Sequence, residues 1–135
     1  MVIDDDYTVN KGIAAILTEL GYTAFSALSA EEALEEYGAQ LDDIDLFLID
    51  VIMPGMCGDE LYTRIKQLKP TVKAILCSGY SLNDRIQKTM DQGCNGFLEK
   101  PFTLTQLLEM IESILNDRNK TTTNTASARQ NYMIQ

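Results

Sequence analysis

The stretch Leu46-Phe47-Leu48-Ile49-Asp50 runs through four apolar residues without a break and then stops on a carboxylate. An unbroken apolar run of this length, rather than an alternating one, suits a central parallel strand covered on both faces. Three further runs have the same form. Val2-Ile3 ends in Asp4 and Asp5, Ala74 to Cys77 ends in Ser78, and Phe97-Leu98 leads past Glu99 to Lys100. Ligands of an open α/β sheet sit at the carboxyl ends of its strands. If the four runs are neighbours in one parallel sheet, three carboxylates, a hydroxyl and an ammonium meet in one crevice. Such a set suits a divalent cation together with a phosphoryl group.

Helical periodicity fills the intervals. From Val9, the residues Ile13, Ile16, Leu17 and Leu20 keep helical spacing until Gly21 stops the run. Thr23 to Ala27 reads as a second strand, and Ser29-Ala30-Glu31-Glu32 as a capping box opening a helix that runs to about Tyr37. After Pro54-Gly55, Leu61, Ile65 and Leu68 mark a third helix closed by Lys69-Pro70, and Leu82, Ile86 and Met90 mark a fourth ending near Gly93. The last helix opens with a second capping box, Thr103 and Gln106, and carries the stripe Leu107, Leu108, Ile111, Ile114 and Leu115. Five such βα units, joined by right-handed crossovers, give a doubly wound α/β sheet with helices on both faces. Beyond about Asn116 the chain is polar, low in complexity and aperiodic, so residues 118–135 read as a mobile tail.

With 135 residues, 45% of them hydrophobic, the chain has material for one domain with a real core. A formal charge of −9 without any Lys/Arg cluster argues against nucleic acid or an anionic membrane as direct partner. No apolar stretch approaches the ~20 residues of a membrane span, and the N-terminus lacks the pattern of a signal peptide, so the cytoplasm is the expected compartment. Cys57, Cys77 and Cys94 have no CxxC spacing and read as reduced thiols rather than a disulfide or zinc site. Histidine is absent, which removes imidazole acid/base chemistry, imidazole ligands and phosphohistidine. A phosphoryl group handled here must arrive from another molecule or from a chain segment outside this sequence.

The ordered set resembles the phosphoacceptor receiver domain of two-component response regulators. That family's acidic pair after strand one, Asp after strand three, Ser/Thr after strand four and Lys-Pro after strand five are matched by Asp4-Asp5, Asp50, Ser78 and Lys100-Pro101. Met53-Pro54, Gly58, Gly79 and Phe102 add to the likeness, which covers Val2 to about Leu115. It implies a flavodoxin-like (βα)5 sandwich with strand order 2-1-3-4-5 and a receiver domain over residues 1–117. It also implies a signalling domain rather than an enzyme acting on other substrates.

By the same resemblance Asp50 is the phosphoacceptor, and Mg²⁺ is held by Asp5, Asp50 and the backbone carbonyl of Ile52, with Asp4 ligating directly or through water. Lys100 neutralises phosphoryl charge, Ser78 hydrogen-bonds a phosphoryl oxygen, and the Lys100-Pro101 bond is cis, aiming the ammonium inward. Physical chemistry agrees with these roles. An aspartyl phosphate divides a difficult transfer into two easier ones, and carboxylates crowded together hold a proton unless a cation lies among them. The implied partner is a histidine kinase or phosphotransfer domain. A weak homodimer through the face of helix four, strand five and helix five is a further expectation.

In the family an aromatic at the place of Phe97 swings inward as the Ser78 position moves toward the phosphoryl group. Phe97 also reads simply as a core aromatic of an edge strand. Ile52 and Tyr80, two residues past Asp50 and Ser78, occupy places where the family tunes dephosphorylation, and their bulk implies a slow loss of phosphate. Bland readings stand beside these. Asp6 can cap the first helix, and Asp50 and Ser78 can be strand-end caps. An enzyme alternative is a haloacid-dehalogenase-like phosphatase, since Asp4-Asp5-Asp6-Tyr7-Thr8 resembles a DxDxT start with Asp4 as nucleophile and Asp6 as acid/base. That reading leaves Asp50 idle and offers only Glu109 and Glu112 as a later acidic cluster. The first strand is short, as though an upstream part had been trimmed, and Cys77-Ser78-Gly79-Tyr80 and Gln92-Gly93-Cys94-Asn95-Gly96-Phe97 resemble receivers at the C-terminal end of hybrid sensor kinases, so a larger parent protein is the expectation.

Overall fold

A computed structural model describes the backbone of residues 1–120 and the side chains of residues 1–116. Five strands, β1 (Val2–Ile3), β2 (Ser26–Ala27), β3 (Phe47–Asp50), β4 (Ala74–Ser78) and β5 (Gly96–Glu99), alternate with α1 (Tyr7–Glu19), α2 (Ala30–Tyr37), α3 (Gly58–Leu68), α4 (Asp84–Asp91) and α5 (Leu104–Lys120). All neighbouring strands pair parallel in the order β2-β1-β3-β4-β5. The flavodoxin-like arrangement expected from the sequence is therefore the one observed. The polar tail expected from residue 118 lies outside the described residues except where α5 runs on to Lys120.

Strand pleating divides the core. Ile3, Phe47, Ile49, Ala74 and Leu76 point to one face, where Ala30 and Ala33 of α2, Leu61, Tyr62 and Ile65 of α3, and Ile86 of α4 cover them. Val2, Leu48, Ile75, Cys77 and Leu98 point to the other, under Ile13 and Leu17 of α1 and Leu107, Ile111 and Ile114 of α5. β3 and β4 are buried at every residue, which is why they read as unbroken apolar runs.

Local signals set most helix ends. The Asp6 side chain accepts from the Val9 backbone N–H, so α1 starts two residues earlier than Val9. Thr103 and Gln106 form a reciprocal capping box. Ser29 Oγ accepts from the Glu32 N–H, while the Glu32 carboxylate reaches past Ser29 to the Leu28 N–H. Two expectations need correction. The strand expected over Thr23 to Ala27 is regular only at Ser26–Ala27. Leu82 does not belong to the stripe of α4; it is exposed in the loop before Asn83, whose side chain caps the helix.

The carboxyl edge is tied together by backbone hydrogen bonds. Asp4 N–H donates to Ala27 O at 3.2 Å, Val51 N–H to Cys77 O at 2.8 Å, and Lys100 N–H to Ser78 O at 2.7 Å. The Gly58 N–H, at the start of α3, returns to Val51 O at 2.8 Å. A Cβ on Gly58 would lie 2.2 Å from the Asp50 carbonyl oxygen and 2.8 Å from Ile49 Cγ2. Only glycine lets α3 approach the end of β3 this closely. Gly58→Ala is expected to destabilise by about 1–3 kcal/mol, the usual cost of overpacking a rigid site. A urea unfolding midpoint checks this, and an unchanged midpoint would show that α3 can retreat freely from β3.

Candidate functional site

The site forms where β1, β3, β4 and β5 end side by side. β1 delivers Asp4 and Asp5, β3 delivers Asp50, and one ligand oxygen from each of these three lies within 4.8 Å of the others. Lys100, just past β5, places its ammonium 3.0 Å from Asp4 Oδ2 and 3.4 Å from Asp50 Oδ1. Asp4 Oδ1 accepts the Asp6 N–H at 2.9 Å, which leaves Oδ2 for the lysine. Asp4 and Asp50 are buried, whereas Asp5 is exposed at the mouth.

Burial and crowding set the electrostatics. Asp50 is pushed up to about 6, first by desolvation and then by the negative charge of Asp4, against the opposing pull of Lys100. Desolvation alone would lower Lys100, but its hydrogen bond to Asp4 and the charge of Asp50 outweigh that and raise it. The ammonium stays charged between the two buried carboxylates.

Ser78 is buried at the end of β4, and its Oγ accepts the Tyr80 N–H at 3.1 Å. The Lys100-Pro101 peptide is cis, as expected. Ile52 is 50% and Tyr80 67% exposed, so neither side chain is buried with the carboxylates. Phe97 is half-buried in the edge strand β5 and packs against the core on the α2, α3 and α4 face.

Two residues escaped the sequence reading. Asn10 is fully buried and donates to backbone carbonyls around the acidic pair. Its signal was present, since Asn10, Ile13 and Leu17 share one helix face, and a polar residue there needs a reason. Glu31 on α2 accepts the Met56 N–H at 3.0 Å and so ties down the loop that follows Ile52. That contact spans two βα units, and no local pattern announces it.

The family model for the response regulator receiver domain matches residues 1–112. The chain belongs to that family. It is 32% identical over 115 residues to the sensor kinase CckA of Brucella abortus, covering 85% of this chain and 12% of CckA. A solved response regulator receiver domain protein from Clostridium thermocellum superposes with a TM-score of 0.81 at 27% identity, covering 90% of this chain and 96% of that one. The response regulator protein TrrA of Thermotoga maritima, solved in complex with Mg²⁺-BeF, gives a TM-score of 0.73 at 28% identity, with 84% and 96% covered. The chain spans between 12% and 54% of the length of the first curated relatives it matches.

Receiver domains are signalling phosphoacceptors that bind Mg²⁺ through acidic residues and are phosphorylated by histidine kinases or phosphotransfer proteins. The dehalogenase-like alternative is not supported. Asp6, its acid/base, is engaged as the cap of α1, and Glu109 and Glu112 are exposed on α5.

For stability the sign of the Asp50 shift is decisive. A carboxyl held near 6 in the fold and near its ordinary value of about 4 when unfolded binds its proton more tightly in the fold. Its ionisation therefore weakens the fold as pH rises from about 4 to 6, and the loss is complete above that. In Mg²⁺-free buffer at pH 7.5, Asp50→Asn should be more stable than wild type by about 1–2 kcal/mol, with the gap closing near pH 4. Chemical unfolding at the two pH values measures it, and a less stable Asp50→Asn at pH 7.5 would refute the electrostatic assignment.

Proposed function

We propose that this receiver takes a phosphoryl group on Asp50 from a phosphohistidine of a partner histidine kinase or phosphotransfer domain. The supporting observation is the convergence of Asp4, Asp5 and Asp50 with Lys100 at one sheet edge, Asp50 being buried among them. An Asp50 carboxylate oxygen attacks phosphorus, the new O–P bond forms, and the donor's N–P bond breaks with its electron pair returning to the imidazole. Because the chain holds no histidine, the donor belongs to another molecule or another segment.

The donor set fits Mg²⁺. It consists of hard carboxylate oxygens close enough to share one small cation, and the lysine beside them leaves the cluster with net negative charge. Asp4, Asp5, Asp50 and the Ile52 backbone carbonyl would hold the ion, which neutralises charge on the phosphoryl oxygens when bound. TrrA, solved in complex with Mg²⁺-BeF, supports Mg²⁺ as the ion. Lys100 already bridges Asp4 and Asp50, so it can follow charge from the carboxylate to a phosphoryl oxygen with little movement.

Ser78 is the switch partner. Its hydroxyl must turn from the Tyr80 N–H toward the phosphoryl group, which would draw the β4–α4 loop with it and make room for Phe97. The responding surface is the face of α4, β5 and α5, where Met90, Phe97, Phe102 and Met110 line a groove beside Glu99 and Glu109. A weak homodimer or a downstream protein would dock there. No described helix is long and apolar enough to cross a membrane, and a cytoplasmic site of action fits a phosphohistidine donor.

Incubation with Mg²⁺ and acetyl phosphate, followed by intact mass measurement, should add one phosphoryl group to wild type and none to Asp50→Asn. Labelling that persists in Asp50→Asn and disappears in Asp4→Asn would instead favour Asp4 as nucleophile. In the same assay Ile52→Asn and Tyr80→Glu should shorten the phosphoryl lifetime, because smaller or polar side chains at the exposed mouth admit and orient water. Equal lifetimes would remove these two residues from the tuning role.

A further inference from the structure

We propose that Asn10 is a positioning residue for the metal-binding pair, holding the Asp4 carbonyl and with it the turn from which Asp4 and Asp5 reach the cation site. The inference rests on the receiver reading above and adds to it a residue on α1 that touches neither metal nor phosphate.

The need arises from β1, which has two residues in register with its neighbours, Val2 and Ile3. Beyond them Asp4 N–H makes one more bond, to Ala27 O at 3.2 Å, and the chain then turns toward α1. The peptide joining Asp4 to Asp5 lies past the ladder. The side chain of Asn10 reaches it there. Nδ2 is 2.7 Å from Ala27 O, 3.1 Å from Asp4 O and 3.4 Å from Val2 O. Its two N–H groups suit the two shorter contacts. The result is a closed arrangement in which Asp4 N–H and Asn10 N–H share the Ala27 carbonyl, while the other Asn10 N–H holds the Asp4 carbonyl. That carbonyl fixes the peptide plane leading into Asp5, and therefore the direction in which both carboxylates leave the backbone.

The residue type carries the argument further. Asn10 is 0% exposed and is the one buried residue of α1, whose apolar residues Ile13, Ile16 and Leu17 are only half-buried. Its Oδ1 is buried without a hydrogen-bond partner among the described residues. An unsatisfied buried acceptor weakens a fold, and an apolar residue of similar volume would avoid that cost. Asparagine at this place makes sense for what its two donors do. Groups that orient metal ligands from behind commonly change metal affinity by one to two orders of magnitude when removed.

Mg²⁺ titration by calorimetry on wild type, Asn10→Leu and Asn10→Ser tests the proposal, with thermal midpoints taken in Mg²⁺-free buffer. Leucine removes both donors together with the orphan acceptor, and serine keeps one donor. Mg²⁺ affinity should fall on the order of 10-fold in Asn10→Leu and by less in Asn10→Ser. Leucine removes the orphan Oδ1 but leaves the Asp4 carbonyl without its donor, so the Asn10→Leu midpoint should stay close to that of wild type, and the Asp5 amide resonance should shift in both variants. Wild-type Mg²⁺ affinity in Asn10→Leu, or in Asn10→Ser if the leucine variant does not fold, overturns this proposal alone. Affinity losses that merely track lost thermal stability across the variants overturn it as well. A wild type that takes up no Mg²⁺ overturns the receiver reading and this proposal together.

Discussion

Everything at the carboxyl edge of this sheet follows from the mutual repulsion of Asp4, Asp5 and Asp50. Three carboxylate oxygens within 4.8 Å of one another do not settle together at neutral pH unless positive charge is supplied. Lys100 supplies one unit and is held by both buried carboxylates. The remaining charge is the reason for a divalent cation, and the exposure of Asp5 gives it an approach from solvent. Asp50 is raised to about 6, first by its burial and then by the charge of Asp4. Under the proposed function a phosphoryl group on Asp50 would meet an ammonium already placed for negative charge, with a cation held by the carboxylates supplying the rest.

The scaffold exists to hold that repulsion in place. Helices packed on both faces of the sheet bury β3 and β4 and hold them in place, and the hydrogen bonds Val51 to Cys77 and Lys100 to Ser78 lock neighbouring strand ends. Gly58 brings α3 against the Asp50 carbonyl, and Glu31 reaches from α2 to fasten the loop beyond Ile52. The least regular support lies under Asp4 and Asp5, where β1 is short and a side chain of α1 completes what the ladder leaves open. On the proposed function stability and function would pull against each other here, since removing the Asp50 charge should relieve the fold and would remove the acceptor.

Much of this was legible in the sequence because the relevant signals are local or periodic. Leu46 to Asp50 and Ala74 to Ser78 announce buried strands with chemistry at their ends, and Thr103 with Gln106 announces α5. The dual nature of Asp4-Asp5-Asp6 was legible only in part. The sequence allowed Asp6 to be a cap or an acid, and the hydrogen bond from Val9 N–H makes it a cap. Leu82 was misplaced because helical spacing continues backward through the loop, whereas Asn83 starts the helix by capping it. Asn10 and Glu31 were missed for a different reason. Their partners lie in backbone segments brought near by the crossovers, and a carbonyl or an N–H leaves no mark on residue identity.

The central claim is that burial of Asp50 beside the like charge of Asp4 creates the need that a cation satisfies. Carbon-detected NMR titration of the Asp50 carboxyl, with and without Mg²⁺, tests it most directly. The account predicts an apparent pKa near 6 without the ion and a clear downward shift when Mg²⁺ is added. An Asp50 that titrates at the ordinary carboxylate value of about 4 without Mg²⁺, and does not respond to it, would contradict the account.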